Sequence, residues 1–436
     1  MNERALPVEP ERAHLLRLDT AVTLKRFAHV ERALATIAAA WVPGVRRLES
    51  KAALARSCWH SATTARSLRE RVFELRYPDR SLDVGDARSQ LRVIESAIDA
   101  PGGAAAMHAL ASVLLPALRR AFQSYIEASD DVADGPTLSF MGPAVAAKLA
   151  DESALTKATE AEMTSTEEEL AGEWAGALRR ELEAVGDVGL DAPADTGPEL
   201  AIPGGRTYEM PQVPARDERY FVSSFYWPDN FDPSWPYGEG LQLQLRSAVS
   251  HLNEVWAVDT AAVILQQLEP RLGWDFLFDA ARWLYDESRH MTMGKRRLEW
   301  WGFQPGEVPL GSYIYEACRD QDSIHRLAML SFFETKNIGK KRTRSAELGR
   351  LGDVTSQRDM DFDWADEAIH AGYGRKWLRE ALRVSGRDPE AWPEVVARCE
   401  ALVAERVAAA TQQEKDAVTA LARALIGRAH SVASAG

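Results

Sequence analysis

The sequence predicts an all-α protein built from two helical bundles. Three observations carry that prediction: Ala, Leu, Arg and Glu dominate the 436 residues, apolar residues recur at three- and four-residue intervals, and Gly and Pro concentrate in one central stretch. At roughly 150 residues per domain the length suggests two or three units. We divide the chain into an N-terminal helical bundle (10–185), a linker and wrapping segment (186–240) and a C-terminal bundle (241–436).

The first bundle is read from segments such as RFAHVERALATIAAAWV, KAALARSCWHSATTARSLRERVFEL and AAMHALASVLLPALRRAFQSYIEAS, separated by breaks at Pro43-Gly44, Pro78-Asp79 and Pro101-Gly102-Gly103. From Gly186 the texture turns to Pro, Gly and Asp, as expected of an inter-domain linker. It then holds Phe225, Tyr226, Trp227, Phe231, Trp235 and Tyr237, too aromatic for solvated disorder. We expect that part to wrap on a bundle, a lid over a pocket being the alternative. Helical periodicity returns at Leu241, with breaks at 302–311 and 385–393 and one long helix expected after the second.

Formal net charge is −13, which repels phosphate backbones and anionic lipid, so nucleic acid is not an expected partner. No run of about 18 apolar residues occurs, and MNERALPVEPERAH has no apolar core of a secretory signal. Cys58, Cys318 and Cys399 are scattered, without CxxC spacing, and are expected to be free thiols in a reducing compartment. These features lead us to expect a cytoplasmic protein.

A carboxylate-bridged metal pair in a helical bundle needs one Glu from each of two helices and a Glu-x-x-His from each of two others. SHLNEVWAVDT supplies Glu254, RWLYDESRHMTMG supplies Glu287 and His290, MLSFFETKNIG supplies Glu334, and DWADEAIHAGYGRKW supplies Glu367 and His370. Glu and His three apart project from one helical face about one turn apart. Glu254 to Glu287 and Glu334 to Glu367 each span 33 residues, enough to run from mid-helix through a turn to the middle of an antiparallel neighbour. His290 to Glu334 spans 44 residues and contains a Pro/Gly break. Two hairpins joined by a longer crossover is ferritin-like connectivity. A further Glu-x-x-His, Glu11 with His14, has no such partners.

Apolar neighbours flank each candidate: Val255 and Trp256, Trp283 and Leu284, Phe332 and Phe333, Trp364 and Ile369. An uncompensated carboxylate there costs on the order of several kcal/mol, so four together call for metal. An oxygen-rich set with one imidazole per ion and no thiolate suits two iron ions, or manganese or a mixed pair, better than zinc or copper. Glu287 and Glu367 are expected to bridge, Glu254 and Glu334 to be terminal ligands, and His290 and His370 to bind one metal each. Asp286 and Asp366 either orient a ligand imidazole or face solvent. His251 is an added ligand, a supporting donor or a structural histidine, whereas His325 falls on the far side of its helix from Glu334. Tyr285 and Tyr373 are donors or radical relays, or core aromatics. Arg289, Lys336, Asn337 and Arg375 are candidates for holding a substrate's polar groups, with surface charge the alternative. GKKRTR at 339–344 reads as a solvated helix end, with a contact to a phosphate or a carrier protein the alternative.

With these motifs placed, HLNEVWAVD, LYDESRHMTMG, FFETKNIG and DEAIHAGYGRKW resemble the ferritin-like superfamily of non-haem di-iron proteins. They are most similar to an uncharacterised bacterial ferritin-like family distantly akin to the di-iron tRNA hydroxylases. The resemblance implies a reduced iron pair that activates dioxygen to oxidise an organic substrate, without specifying which, because the fold hosts many chemistries. No GxGxxG fingerprint is present, so electrons are expected from an external donor or the substrate.

The N-terminal half reads as a degenerate, metal-free ferritin-like repeat or as an unrelated helical domain. Glu31 lies in AHVERALATIAAAW much as Glu254 lies in its helix, and Glu127 precedes Glu160 by 33 residues, but Met163 stands where a His is needed and CWHSATTA offers no Glu-x-x-His. The expected function is an oxygen-activating di-iron oxidase or oxygenase acting on a small organic molecule. The alternatives are a ferritin-type ferroxidase, for which so long a chain is awkward in a closed shell, a di-iron tRNA-type hydroxylase, weakened by the acidic balance, and a purely structural helical protein. No membrane partner is expected, and a homodimer is left open.

Overall fold

Small residues set the spacing of the first two helices. Ala28, Ala35 and Ala39 of α1 (Arg17–Trp41) and Ala55, Ala62 and Ala65 of α2 (Leu48–Glu74) are all buried, and the two helices pack along their whole length. The turn between them is a 3₁₀ turn at Val42–Gly44, holding the Pro43-Gly44 break. The computed structural model describes residues 13–76, 82, 87–194, 202, 204–223 and 238–435; Glu11, the Pro78-Asp79 break and the aromatic run from Phe225 to Tyr237 lie outside them.

The first bundle continues through α3 (Arg88–Glu95), α4 (Gly103–Ala109), α5 (Leu115–Ala128), α6 (Gly135–Glu162) and α7 (Ser165–Ala184). A π turn at Leu110–Leu114 joins α4 to α5 just before Pro116, whose ring excludes regular hydrogen bonding there. The polar interior of this bundle is made of ion pairs. The Lys148 ammonium donates to Glu31 at 2.6 Å and to Ser61 at 2.9 Å, and Asp151 accepts from His60 at 3.0 Å. Glu31 therefore is buried as its parallel with Glu254 suggests, but a lysine supplies its counter-charge. Glu127 and Glu160, by contrast, are exposed, so their 33-residue spacing builds no buried site.

Residues 204–223 do more than link. The Tyr208 amide donates to the Asp99 carboxylate at 2.8 Å, the Ala215 amide to the Pro43 carbonyl at 2.8 Å, and Arg216 pairs with buried Asp259 at 2.6 Å. Asp259 also pairs with Lys51 of α2 at 2.8 Å. The segment ends in β1 (Phe221–Ser223), which runs parallel to β2 (Pro309–Gly311) in the register Phe221↔Pro309. Neither strand carries a sequence signal, because each is three residues long.

The second bundle comprises α8 (Leu241–Asn253), α9 (Val255–Leu272), α10 (Trp274–Trp300), α11 (Tyr313–Ala317), α12 (Ser323–Arg350) and α13 (Val354–Val384), with α14 (Trp392–Ala408) against α12 and α15 (Gln412–Ala435) returning onto α8. Gly273, at φ +77°, turns the chain between α9 and α10, and Gly352, at φ +76°, does so between α12 and α13. The expected single last helix is two, because Thr411 and Glu414 cap one another, the Thr411 amide donating to the Glu414 carboxylate at 2.8 Å. One hydrophobic core runs from the first bundle into the second, α1 packing on α9 and α2 on α10. Among the described residues no helix is long and apolar enough to cross a membrane.

Helix α10 lies tight against α8 at Gly294, where a Cβ would lie 2.2 Å from the Leu252 amide nitrogen and 2.4 Å from the Ala248 carbonyl oxygen. Backbone cannot yield as a side chain can. Gly294→Ala is therefore expected to destabilise the fold by about 3 kcal/mol, at the upper end of overpacking costs, and urea unfolding within about 0.5 kcal/mol of wild type would disprove this close contact.

Candidate metal centre

Four helical segments bring the six predicted ligands to one place. Glu287 and His290 project from α10, Glu334 from α12, and Glu367 and His370 from α13; all five are buried. Glu254 departs from the mid-helix position expected for it. It sits at the break between α8 and α9, with ψ near 0°, and is partly exposed. The break is held by Asn253, whose amide donates to the Val249 and Pro309 carbonyls at 2.9 Å each and whose carbonyl accepts from the Gly311 amide at 2.7 Å.

His290 Nδ1 lies 3.3 Å from Glu254, 3.7 Å from Glu287 and 3.6 Å from Asp363, and His370 Nδ1 lies 3.2 Å from Glu287 and 3.8 Å from Glu367. Both Nδ1 atoms, and Oε2 of Glu254, Glu287 and Glu367, are buried with no hydrogen-bond partner. Lone pairs thus converge on two positions. Glu254, His290, Asp363 and Glu367 surround one, and Glu287, Glu334, Glu367 and His370 the other, with ligand atoms in each group within 4.8 Å of one another. Glu367 is common to both groups, and Glu287 lies between the two imidazoles.

The other imidazole nitrogens face aspartates, and the pairing is crossed. His290 Nε2 of α10 meets Asp366 of α13 at 3.3 Å, and His370 Nε2 of α13 meets Asp286 of α10 at 3.3 Å. Such a carboxylate fixes the imidazole tautomer and turns Nδ1 inward as a lone-pair donor. Arg289 pairs with both aspartates, at 2.6 Å from Asp286 and 2.9 Å from Asp366. Asp366→Asn is expected to weaken metal binding at the His290 position, and Asp286→Asn at the His370 position, each about 10–100-fold. Competition with a chelator measures this, and unchanged affinity in both variants would detach the aspartates from the centre.

Two residues escaped the sequence argument. Asp363 lies one turn before Glu367 and accepts from His251 Nε2 at 3.0 Å, which makes His251 a support for a carboxylate and not an added ligand; Arg297 holds the other nitrogen of His251. Lys341, from the run expected to be a solvated helix end, is buried, and its ammonium lies 2.5 Å from Asp363 and 2.7 Å from Glu367. Trp283 stacks on His370 at 5.3 Å and donates to Glu287 at 3.1 Å.

The electrostatics describe a site short of positive charge. Burial pushes the Glu254 and Glu367 carboxyls above their usual range despite the neighbouring imidazoles. Burial pushes Glu287 up too, but His290 and His370 outweigh it and bring it down to about 2. Burial alone would keep both imidazoles neutral, yet Asp363, Asp366, Glu254 and Glu287 around His290, and Asp286, Glu287 and Glu367 around His370, raise them well above their ordinary value. Protons and the Lys341 ammonium thus do in the metal-free protein what two cations would do in their place, and the residues present fit such cations.

The remaining predicted residues divide. Tyr373 lies 6.4 Å from the His370 ring, whereas Tyr285 stacks on Trp59 of α2 at 6.3 Å. Lys336 is exposed and pairs with Glu400 at 3.3 Å, Arg375 is exposed, and the Asn337 side chain lies outside the described residues. His325 pairs with Asp322 at the start of α12, clear of Glu334 as expected. Trp364 and Ile369, taken as apolar surroundings of Glu367, are exposed, because neither falls on the buried stripe of α13. Cys318 and Cys399, scattered in sequence, both approach the His325 carbonyl, at 3.9 and 3.2 Å.

No curated protein and no solved structure matches the chain. Residues 204–417, a span that contains every residue of the centre, match the model of a family described as a protein of unknown function (DUF455).

Proposed function

We propose that α8 with α9, α10, α12 and α13 form a ferritin-like bundle holding two iron ions, and that the protein is an oxygen-activating oxidase or oxygenase for a small organic substrate. The observation that carries this is the convergence of five buried, unpartnered ligand atoms, two imidazole and three carboxylate, on two adjoining positions. Glu254 and His290, with Asp363, would hold one ion, Glu334 and His370 the other, and Glu287 and Glu367 are placed to serve both. Iron bound there would supply the redox chemistry that no amino-acid side chain provides. The chain's own part is to fix the imidazoles through Asp286 and Asp366, to hold Asp363 through His251, and to leave the Glu254 side open to a cavity of 570 Å³.

That cavity favours an organic substrate over iron storage, which needs no shaped pocket beside the metals. A second groove, between the two bundles, is rich in Arg and Lys; Arg47, Arg56, Arg219, Arg289, Lys295 and Arg297 there pair with carboxylates while Lys157, Arg296 and Arg358 line it as well, so it is the net charge of −13, not this groove, that speaks against a tRNA substrate. The test is anaerobic Fe(II) loading followed by oxygen, with absorbance and oxygen uptake recorded. An oxygen-dependent transient band on protein loaded with two irons supports the proposal. Uptake that continues with iron far beyond two per chain and leaves a ferric deposit would replace it with storage, and no oxygen reaction at all would refute it.

A further inference from the structure

The fold brings together two cysteines that lie 81 positions apart in the chain. Cys318 follows the last residue of α11, Cys399 lies on the buried stripe of α14 with Val395 and Leu402, and the two helices pack against each other. Both thiols approach one acceptor, the His325 carbonyl in the first turn of α12, at 3.9 and 3.2 Å. They also hydrogen-bond to each other. A disulfide closes two sulfurs to about 2.05 Å, a step that a thiol pair in hydrogen-bonding contact can take by side-chain rotation.

The two thiols are unlike. The hydrogen bond from Cys399, helped by the Arg326 guanidinium, holds the Cys318 thiol below its ordinary value against burial and Asp322. The same hydrogen bond, with burial, pushes the Cys399 thiol up. Cys318 is thereby the easier thiolate and the better nucleophile, with a neutral thiol beside it. Cys58 is the contrast within the same chain, since it is equally buried and burial alone pushes its thiol up. Burial of the pair is shallow. The turn after Cys318 carries exposed Arg319 and Asp320, and Arg398 and Glu400 on either side of Cys399 are exposed. A surface helix with one buried stripe opens locally at a free energy below that of global unfolding.

We propose that Cys318 and Cys399 are a peroxide-sensitive site, at which hydrogen peroxide converts the two thiols to an intramolecular disulfide. Cys318 attacks one peroxide oxygen as its thiolate; the O–O bond breaks, one water leaves with the thiol proton, and a sulfenic acid remains. The Cys399 sulfur then attacks the Cys318 sulfur, the S–S bond forms, the S–O bond breaks, and a second water leaves with the Cys399 proton. Two electrons pass from the thiols to the peroxide. The new bond ties the end of α11, whose Tyr313 and Ile314 line the cavity beside the centre, to α14. The loop it closes contains Glu334, Glu367 and His370. Neither step draws on the proposed metals, so the site stands apart from the proposed function.

The test is to treat the reduced full chain with hydrogen peroxide in chelator, block the remaining thiols by alkylation, and map the protein by mass spectrometry without reduction. A peptide linking Cys318 to Cys399 is expected, forming at least about tenfold faster than Cys58 is oxidised and reversed by dithiothreitol. Cys399→Ala should accumulate a Cys318 sulfenic acid that dimedone traps, and Cys318→Ala should leave Cys399 reduced. The map of the wild-type chain decides even where a variant fails to fold. Three thiols that survive peroxide, a link through Cys58 or between chains, or oxidation of the pair no faster than that of Cys58 would overturn the proposal. Oxidation of Cys399 at the wild-type rate in folded Cys318→Ala would overturn the role of Cys318 as the attacking sulfur.

Discussion

Glu287→Ala/His370→Ala is expected to lose both metal ions. Glu287 lies 3.7 Å from His290 Nδ1 and 3.2 Å from His370 Nδ1, so its removal affects both positions, and His370 is the imidazole of the second. Loss of a single supporting carboxylate costs about 10–100-fold in affinity, and two direct ligands should exceed that. The consequence extends to stability. A metal present at 100 times its Kd adds about 2.7 kcal/mol to folding, so Fe(II) should raise the unfolding midpoint of wild type and leave that of the double variant unchanged. Equal shifts in the two proteins would place the metal elsewhere.

The second large effect concerns Lys341. Removing one member of a buried charge group leaves the others uncompensated, at a cost of about 3–5 kcal/mol. Lys341→Met should therefore destabilise the protein by that order in chelator, where the ammonium is the counter-charge of Asp363 and Glu367. Metal replaces that charge, so the loss should shrink markedly in Fe(II). Burial pulls the Lys341 ammonium down, but Asp363 and Glu254 hold it above its ordinary value, so it stays charged at neutral pH. Urea unfolding of both proteins in both conditions decides: an equal loss with and without metal would make Lys341 a packing residue with no tie to metal occupancy.

Helical content and the meeting of the six candidate ligands were legible in the sequence because both depend on local periodicity and on chain length between motifs. Asp363 was legible as well, since 363, 367 and 370 fall on one stripe of α13, and so was Lys341, seven residues after Glu334 on α12. Neither belongs to a Glu-x-x-His motif, so the spacing of those motifs does not point to them. The crossed pairs Asp286 with His370 and Asp366 with His290 depend on how α10 and α13 face one another, which no single-helix pattern specifies. The placement of Glu254 at a helix break depends on Asn253 reaching residues 309 and 311. In the N-terminal half the same buried-Glu pattern at Glu31 is answered by Lys148. Spacing alone could not separate a lysine-filled site from a candidate metal site.

The most direct measurement is the iron content of the full chain after anaerobic Fe(II) loading and desalting. Two ions per chain is the result expected from the two ligand groups that share Glu367. One ion would contradict the shared carboxylates, and none would leave buried acids compensated by protons and Lys341 alone, contradicting the metal centre itself.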